Sequence, residues 1–359
     1  MEIEKQRNLH IPDDIIFNIL RRLPPKPLAR CKCVCKSWES FANQHKYHNY
    51  KLLRFSRNTI QSIDFEAADE IKAVDLDIPF KVSSGMLGIA SCNGLLCILY
   101  KKEGFVIWNP LTGRYKRACL VLNPSADNGF GFWYDHSTHN CKIVRLMRFL
   151  DLNVRPFTAR YSVEIYSQNS NSWQQKETLP WQIRYIKNES KIRDINFGVL
   201  VNEALYWDIR YINNDNEIHA VLRFDTLNEK FDVILSPDNV YIHNIGVFKG
   251  HVCLVEYHKV DHIDIWTREV GKNQNWVKFM NLPPFERKSR FEELAPICSM
   301  KNDEILASVK EKNYFIGCWM KKEFVLYSPD VKTYKKIHIR STMKFFKDEI
   351  TYTDTFVSP

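Results

Sequence analysis

Apolar residues along the chain follow two different periods. From Leu9 to Tyr50 they recur at helical spacing. Ile15, Ile19 and Leu23 form one i, i+4, i+8 stripe, and Ile16 and Leu20 form a second beside it. Pro12 suits the start of this helix, and Asp13 and Asp14 place negative charge at its positive end. Pro24, Pro25 and Pro27 stop it. The spacing then predicts a second short helix with Leu28, Cys31, Val34 and Cys35 on its apolar face, and a third carrying Trp38 and Phe41. Past residue 51 the helical period disappears. Short runs rich in Val, Ile, Phe, Tyr and Trp alternate with turn residues, which is strand texture. The pattern therefore predicts a small all-α domain at 1–50 and an all-β domain at 51–359.

The β region repeats itself. Trp108 and Tyr115 lie seven apart around the turn Asn109-Pro110-Leu111-Thr112-Gly113-Arg114, and Tyr166/Trp173, Phe224/Phe231 and Tyr327/Tyr334 repeat that spacing. Trp266/Trp276 is a longer version. Each pair brackets a polar turn, which is hairpin chemistry. Turns leading into apolar strands precede several of these hairpins: Cys92-Asn93-Gly94-Leu95, Val201-Asn202-Glu203-Ala204, Lys249-Gly250-His251-Val252 and Lys301-Asn302-Asp303-Glu304. The hairpin aromatics are separated by 58, 58, 42 and 61 residues. Four-stranded propeller blades recur at roughly 40–50 residues, so the expectation is a degenerate β-propeller of about six or seven blades. An irregular stack of β-sheets is the competing architecture.

Size and charge sharpen the picture at the N-terminal end. About 45 residues in three short helices cannot easily bury two adjacent apolar stripes, and folding units near that size usually need a staple or a partner. Residues 1 to 54 hold eleven Lys and Arg against five Asp and Glu, so most of the chain's net charge of +9 lies there. That points to an acidic protein partner for the head and away from a basic nucleic-acid groove on the large domain.

The head resembles a known family. Ile11-Pro12-Asp13-Asp14-Ile15-Ile16, Ile19-Leu20-Arg21-Arg22-Leu23-Pro24 and Cys33-Val34-Cys35-Lys36-Ser37-Trp38 are similar to the F-box of plant proteins, with Ile11, Asn18 and Cys31 departing from its usual residues. The larger domain resembles the kelch-like F-box-associated interaction domain. The resemblance runs through Gly94-Leu95-Leu96 with Trp108-Asn109-Pro110-Leu111-Thr112-Gly113, Gly129-Phe130-Gly131-Phe132, Val163-Glu164-Ile165-Tyr166 and Ala204-Leu205-Tyr206-Trp207, up to Tyr352-Thr353-Asp354-Thr355-Phe356-Val357-Ser358-Pro359. The resemblance implies a Skp-family adaptor as partner, and through it a cullin and a RING subunit of a ubiquitin ligase. It implies adaptor contacts at Ile11, Pro12, Ile15, Ile16, Leu20, Leu23, Pro24, Leu28, Cys33, Val34 and Trp38, some of which must instead hold the helices together. The propeller would bind a protein substrate whose identity the residues do not specify.

Other chemistry finds little support. His258, His262 and Asp264 share one strand face by even spacing, but no second cluster completes a metal site in the sequence. Cys31, Cys33 and Cys35 lack zinc spacing, and Gly129-Phe130-Gly131 lacks the third glycine of a nucleotide loop and fits a bulge or close packing. The expectation is a binding subunit with no catalytic residue, cofactor or metal. A ligase-independent scaffold is the main alternative, and a propeller enzyme or lectin is a weaker one. The ten cysteines are expected to be reduced. Residues 1–10 do not read as a signal peptide, and no apolar run reaches membrane-spanning length, which points to the cytoplasm or nucleus.

Overall fold

A computed structural model describes residues 12–22, 31, 34–38, 41, 50–56, 58–65, 71–118, 120, 127–151, 158–176, 179, 183–186, 196–213, 216–237, 240–242, 244–258, 262–268, 275–283, 285, 292–300, 304–313, 318–340, 348–353, 355 and 357–359. Beyond one helix it is built from strands. The helix, α1, spans Asp13–Arg22, and helical backbone recurs at Cys31, at 36–38 and at Phe41. The rest of the expected three-helix head lies outside the described residues.

The strands pair into six antiparallel-based sheets. The N-terminal strands β1 (Tyr50–Phe55), β2 (Ile60–Ile63) and β3 (Ala73–Asp75) form part of one. Blade 1 holds β4 (Met86–Cys92), β5 (Leu95–Tyr100), β6 (Gly104–Trp108) and β7 (Tyr115–Ala118). Blade 2 holds β8 (Asp127–Asp135), β9 (Asn140–Asp151), β10 (Thr158–Ser167) and β11 (Ser172–Gln175). The chain then makes β12 (Ile183–Ile186), returns to pair β13 (Asn196–Phe197) in parallel with β8, and continues as β14 (Val199–Val201). Blade 3 is completed by β15 (Ala204–Asn213), β16 (Asn216–Asp225) and β17 (Lys230–Leu235); β12 and β14 flank different halves of β15, so its innermost strand is split. Blade 4 holds β18 (Asn244–Phe248), β19 (His251–His258), β20 (His262–Arg268) and β21 (Trp276–Leu282). Blade 5 holds β22 (Glu292–Ser299), β23 (Ile305–Asn313), β24 (Cys318–Ser328) and β25 (Thr333–Ile337). Finally β26 (Asp348–Thr353) pairs with β1 along six residues and supplies the innermost strand of blade 6.

The innermost strands touch in cyclic order, β4 with β8, β8 with β14, β14 with β18, β18 with β22, β22 with β26, and β26 back to β4. The sheets therefore close into a six-bladed propeller, the lower of the two expected blade numbers, and not an open stack.

Residue alternation explains the core. In Leu95–Tyr100, Leu96, Ile98 and Tyr100 join a cluster with Leu53, Phe55 and Tyr352 of blade 6, while Leu95, Cys97 and Leu99 join one with Phe130, Phe132 and Ile143 of blade 2. A strand covered on both faces has no polar side, which is why this segment reads as an unbroken apolar run. Further apolar wedges fill the junctions 2/3, 3/4, 4/5 and 5/6. Four of the aromatic pairs read from the sequence are direct cross-strand partners: Trp108↔Tyr115, Tyr166↔Trp173, Phe224↔Phe231 and Tyr327↔Tyr334. The fifth is offset. An irregularity between Ile265 and Trp266 pairs Trp266 with Lys278 and Trp276 with Arg268. Gly131 faces Leu205, Val144 and Trp207, which would collide with a Cβ there, and a register irregularity falls between Asp127 and Gly129; both the bulge and the close packing expected of this segment are present.

Strand order also defines two ends. The first-to-second and third-to-fourth turns of each blade lie at one end, here called proximal. The second-to-third turns and the connections between blades lie at the other, distal end. The chain enters the ring at Tyr50, the proximal start of β1, and β26 also ends there at Thr353. The proximal turns Asn93-Gly94, Asn202-Glu203 and Lys249-Gly250 carry positive φ at both positions, as tight I′ hairpins require.

Candidate functional site

The two apolar stripes of α1 have different fates. Leu20 is 1% exposed and sits at the centre of the head's own cluster, with Ile16, Phe17, Cys31, Trp38 and Phe41 packed on it and the Phe17 and Phe41 rings stacked at 4.9 Å. Ile15 and Ile19, one step around the helix, are 48% and 54% exposed, and Val34 is 62% exposed. Isolated exposed apolar residues are ordinary; two on one helical stripe make a surface suited to a partner. Of the residues implied as adaptor contacts, Leu20 thus serves the interior of the head, and Ile16 and Trp38 are partly buried against it. Pro12, Ile15 and Val34 face outward. Ile11, Leu23, Pro24, Leu28 and Cys33 lie outside the described residues. Ile19 joins the outward set although the motif comparison did not pick it; its place in the Ile15 stripe is the signal that finds it.

At the proximal end the ring is locked by a tail. Asn109, fully buried, donates through Nδ2 to the carbonyls of Thr355 (3.0 Å) and Val357 (2.7 Å), and its Oδ1 accepts from the N–H groups of Leu111 (2.8 Å) and Thr112 (3.1 Å). Thr355 Oγ1 donates to the Asn93 carbonyl at 2.5 Å. Gly94, at φ +72°, abuts Thr355 so closely that no Cβ fits. The Trp-Asn-Pro motif is therefore a clasp for the segment after β26, and its role is closure.

Between blades 3 and 4 lies a cleft of about 860 Å³ lined by Tyr206, Arg223, Asp232, Arg268 and Trp276. Arg223 pairs within blade 3 with Asp225 and Asp232, both at 3.0 Å, and the Trp276 indole of blade 4 donates across the cleft to the Leu235 carbonyl of blade 3 at 2.8 Å, so these lining groups already serve the blades and their junction.

On blade 4, His258, His262 and Asp264 do converge, at the distal tip of the β19–β20 hairpin. Glu256 adjoins this group, its Oε2 3.4 Å from His258 Nε2, and its place opposite Asp264 depends on the hairpin register and so is not visible in the sequence. The described cysteines are free thiols. Burial pushes Cys141 and Cys253 up to about 12 and Cys298 up to about 11, which leaves them as packing groups and not nucleophiles. His136 and His139 lie in an exposed turn. Among the described residues, no helix is long and apolar enough to cross a membrane.

Comparison with known proteins decides the family. Residues 8–50 match the F-box domain, and residues 51–358 match the F-box associated beta propeller domain. The chain is an F-box protein. The F-box protein CPR1 of Arabidopsis thaliana is 24% identical over 81% of this chain and 78% of its own length. F-box protein At4g22390, also from Arabidopsis thaliana, is 24% identical over 83% of this chain and 80% of that relative. Among solved structures, an oligogalacturonate lyase from Vibrio parahaemolyticus aligns with a TM-score of 0.43 at 8% identity, over 80% of this chain and 78% of that one. So remote a likeness has no bearing on activity.

Proposed function

We propose that this F-box protein is the target-recognition subunit of an SCF-type cullin-RING ubiquitin ligase. The head docks on a Skp-family adaptor, and the distal end of the propeller holds a target protein. The observation that carries the reading is the outward stripe of Ile15 and Ile19 with Val34, exposed within the segment that matches the F-box. Burying such side chains in a partner is worth roughly 1.5–3 kcal/mol each. The basic excess of the first 54 residues suits an acidic adaptor.

In this reading the chain contributes position and no reacting group. It holds the target at high effective concentration near a ubiquitin-loaded conjugating enzyme. Head and target surface sit at opposite ends of the ring's connectivity. The chain enters at proximal Tyr50, while the second-to-third strand turns and the connections between blades lie at the distal end, and connections of this kind are suited to recognition.

The test is reconstitution of the full chain with adaptor, cullin and RING subunit, read by size-exclusion chromatography. A single complex of all four is expected. Recovery of the adaptor without the cullin would support a ligase-independent scaffold, and recovery of neither would overturn the reading.

A further inference from the structure

Four side chains able to bind a metal meet on one face of the β19–β20 hairpin. The register sets Glu256 opposite Asp264 and His258 opposite His262, so the four form a two-by-two array across two strands. His258 Nε2 lies 3.0 Å from Asp264 Oδ2 and 3.4 Å from Glu256 Oε2, and His262 Nε2 lies 3.6 Å from Asp264 Oδ2. The donor atoms of His258, His262 and Asp264 all fall within 4.8 Å of one another. Nitrogen and oxygen ligands about 2.0–2.2 Å from a tetrahedral metal stand roughly 3.3–3.5 Å apart, close to the shorter separations here. The imidazoles are stacked at 4.2 Å and 20°, and both turn Nε2 toward Asp264 Oδ2.

The surroundings hold the carboxylates in place. Asp264 is 1% exposed, and its Oδ1 accepts from Asn281 Nδ2 at 3.3 Å, leaving Oδ2 turned toward both histidines. Glu256, also buried, accepts from the Trp266 indole at 3.1 Å and from the Tyr241 N–H at 3.4 Å. Outer contacts of this kind are what fix metal ligands in orientation. One further group completes the cluster. Lys278 Nζ lies 2.5 Å from Asp264 Oδ2, so an ammonium stands where positive charge is needed. In that position it also lies 5.8 Å over the Trp266 ring, and with its side chain 46% exposed it can swing out to solvent.

We propose that Glu256, His258, His262 and Asp264 form a site for a divalent transition metal of the zinc class, which staples the distal tip of the blade 4 hairpin, with Lys278 as its resident competitor. Two imidazoles and two carboxylates suit zinc better than magnesium or calcium, and four protein ligands make a closed, structural site.

The test uses the full chain, stripped with chelator and titrated with Co²⁺ alone, then with Zn²⁺ as competitor. One equivalent should give the intense visible absorption of four-coordinate cobalt, and Zn²⁺ should abolish it. His262→Ala should weaken binding by about 100-fold or more, since even outer-contact changes cost 10–100-fold. Lys278→Met should move the opposite way and tighten binding several-fold, a readout that does not depend on a ligand variant keeping its fold. Failure of the wild-type chain to bind, or a weak cobalt band that persists in His262→Ala, overturns the proposal and leaves Lys278 as the group that closes the cluster.

Discussion

Asn109 shows how much a single side chain can hold. It stands in the first conspicuous motif of the β domain, where the sequence marks it as a turn residue. Its partners Thr355 and Val357 lie about 250 residues away, and only the closed ring brings them to it. Asn109→Ala leaves the two part-buried carbonyls and two turn N–H groups without this partner and is expected to cost about 3 kcal/mol. Urea unfolding measures this; a loss under about 1 kcal/mol would mean the tail is not clasped as described. The same contrast applies to the head. Both stripes of α1 are equally apolar in the sequence, so the pattern shows that two exist but not which one faces inward. The inward choice belongs to Leu20, because Phe17, Trp38 and Phe41 gather on its side. Leu20→Ala should therefore destabilise the head by about 2–4 kcal/mol, whereas Ile15→Ala should change stability by less than about 1 kcal/mol. Thermal melts of the two variants separate these outcomes.

Among the elements, hairpins were more legible than blades. Aromatic pairs seven apart mark the third and fourth strands because those residues are directly opposed across a short turn. Blade 6 has no such pair, and its strands come from opposite ends of the chain, so no local pattern can reveal it. The split innermost strand of blade 3 is equally hidden. Blades are also tied at the proximal end by charge. Lys142 of blade 2 bridges Asp135 at 3.2 Å and Glu229 of blade 3 at 3.0 Å, and Lys176 meets Glu229 at 2.7 Å. Burial alone would raise the Glu229 carboxyl, but hydrogen bonds from Lys176 and Lys142 outweigh it and hold the group below its ordinary value. A carboxylate lowered in the folded state stabilises above its unfolded pKa of about 4.3, and that contribution disappears as pH falls through the folded value. Partial exposure limits the effect to about 1 kcal/mol. Glu229→Gln should thus cost about 1 kcal/mol at neutral pH and progressively less below pH about 4. Denaturant titrations across that range test it; a deficit independent of pH would exclude the ion network as its source.

For the whole molecule, closure is the consequence of the fold, and adaptor docking is the proposal that rests on it. Because β26 pairs with β1 along its full length, a chain truncated before residue 348 exposes the β1 edge and opens the ring. Such a chain is expected to lose cooperative unfolding and to be cleaved rapidly by protease, whereas an unchanged melt would show that closure contributes little. The all-β reading, the repeats and the propeller were available from the sequence because blade interfaces impose periodic apolar residues. The Glu256–Asp264 pairing was not, since it depends on a hairpin register. The head's role rests on surface that the fold leaves uncovered. The most direct measurement is calorimetric binding of a Skp-family adaptor to the full chain, compared with an Ile15→Asp/Ile19→Asp double variant whose melting profile matches wild type. Placing charge in an apolar contact costs several kcal/mol, so wild type should bind and the folded variant should lose affinity by at least about 100-fold. Equal binding by both, or no binding by wild type, would contradict the account.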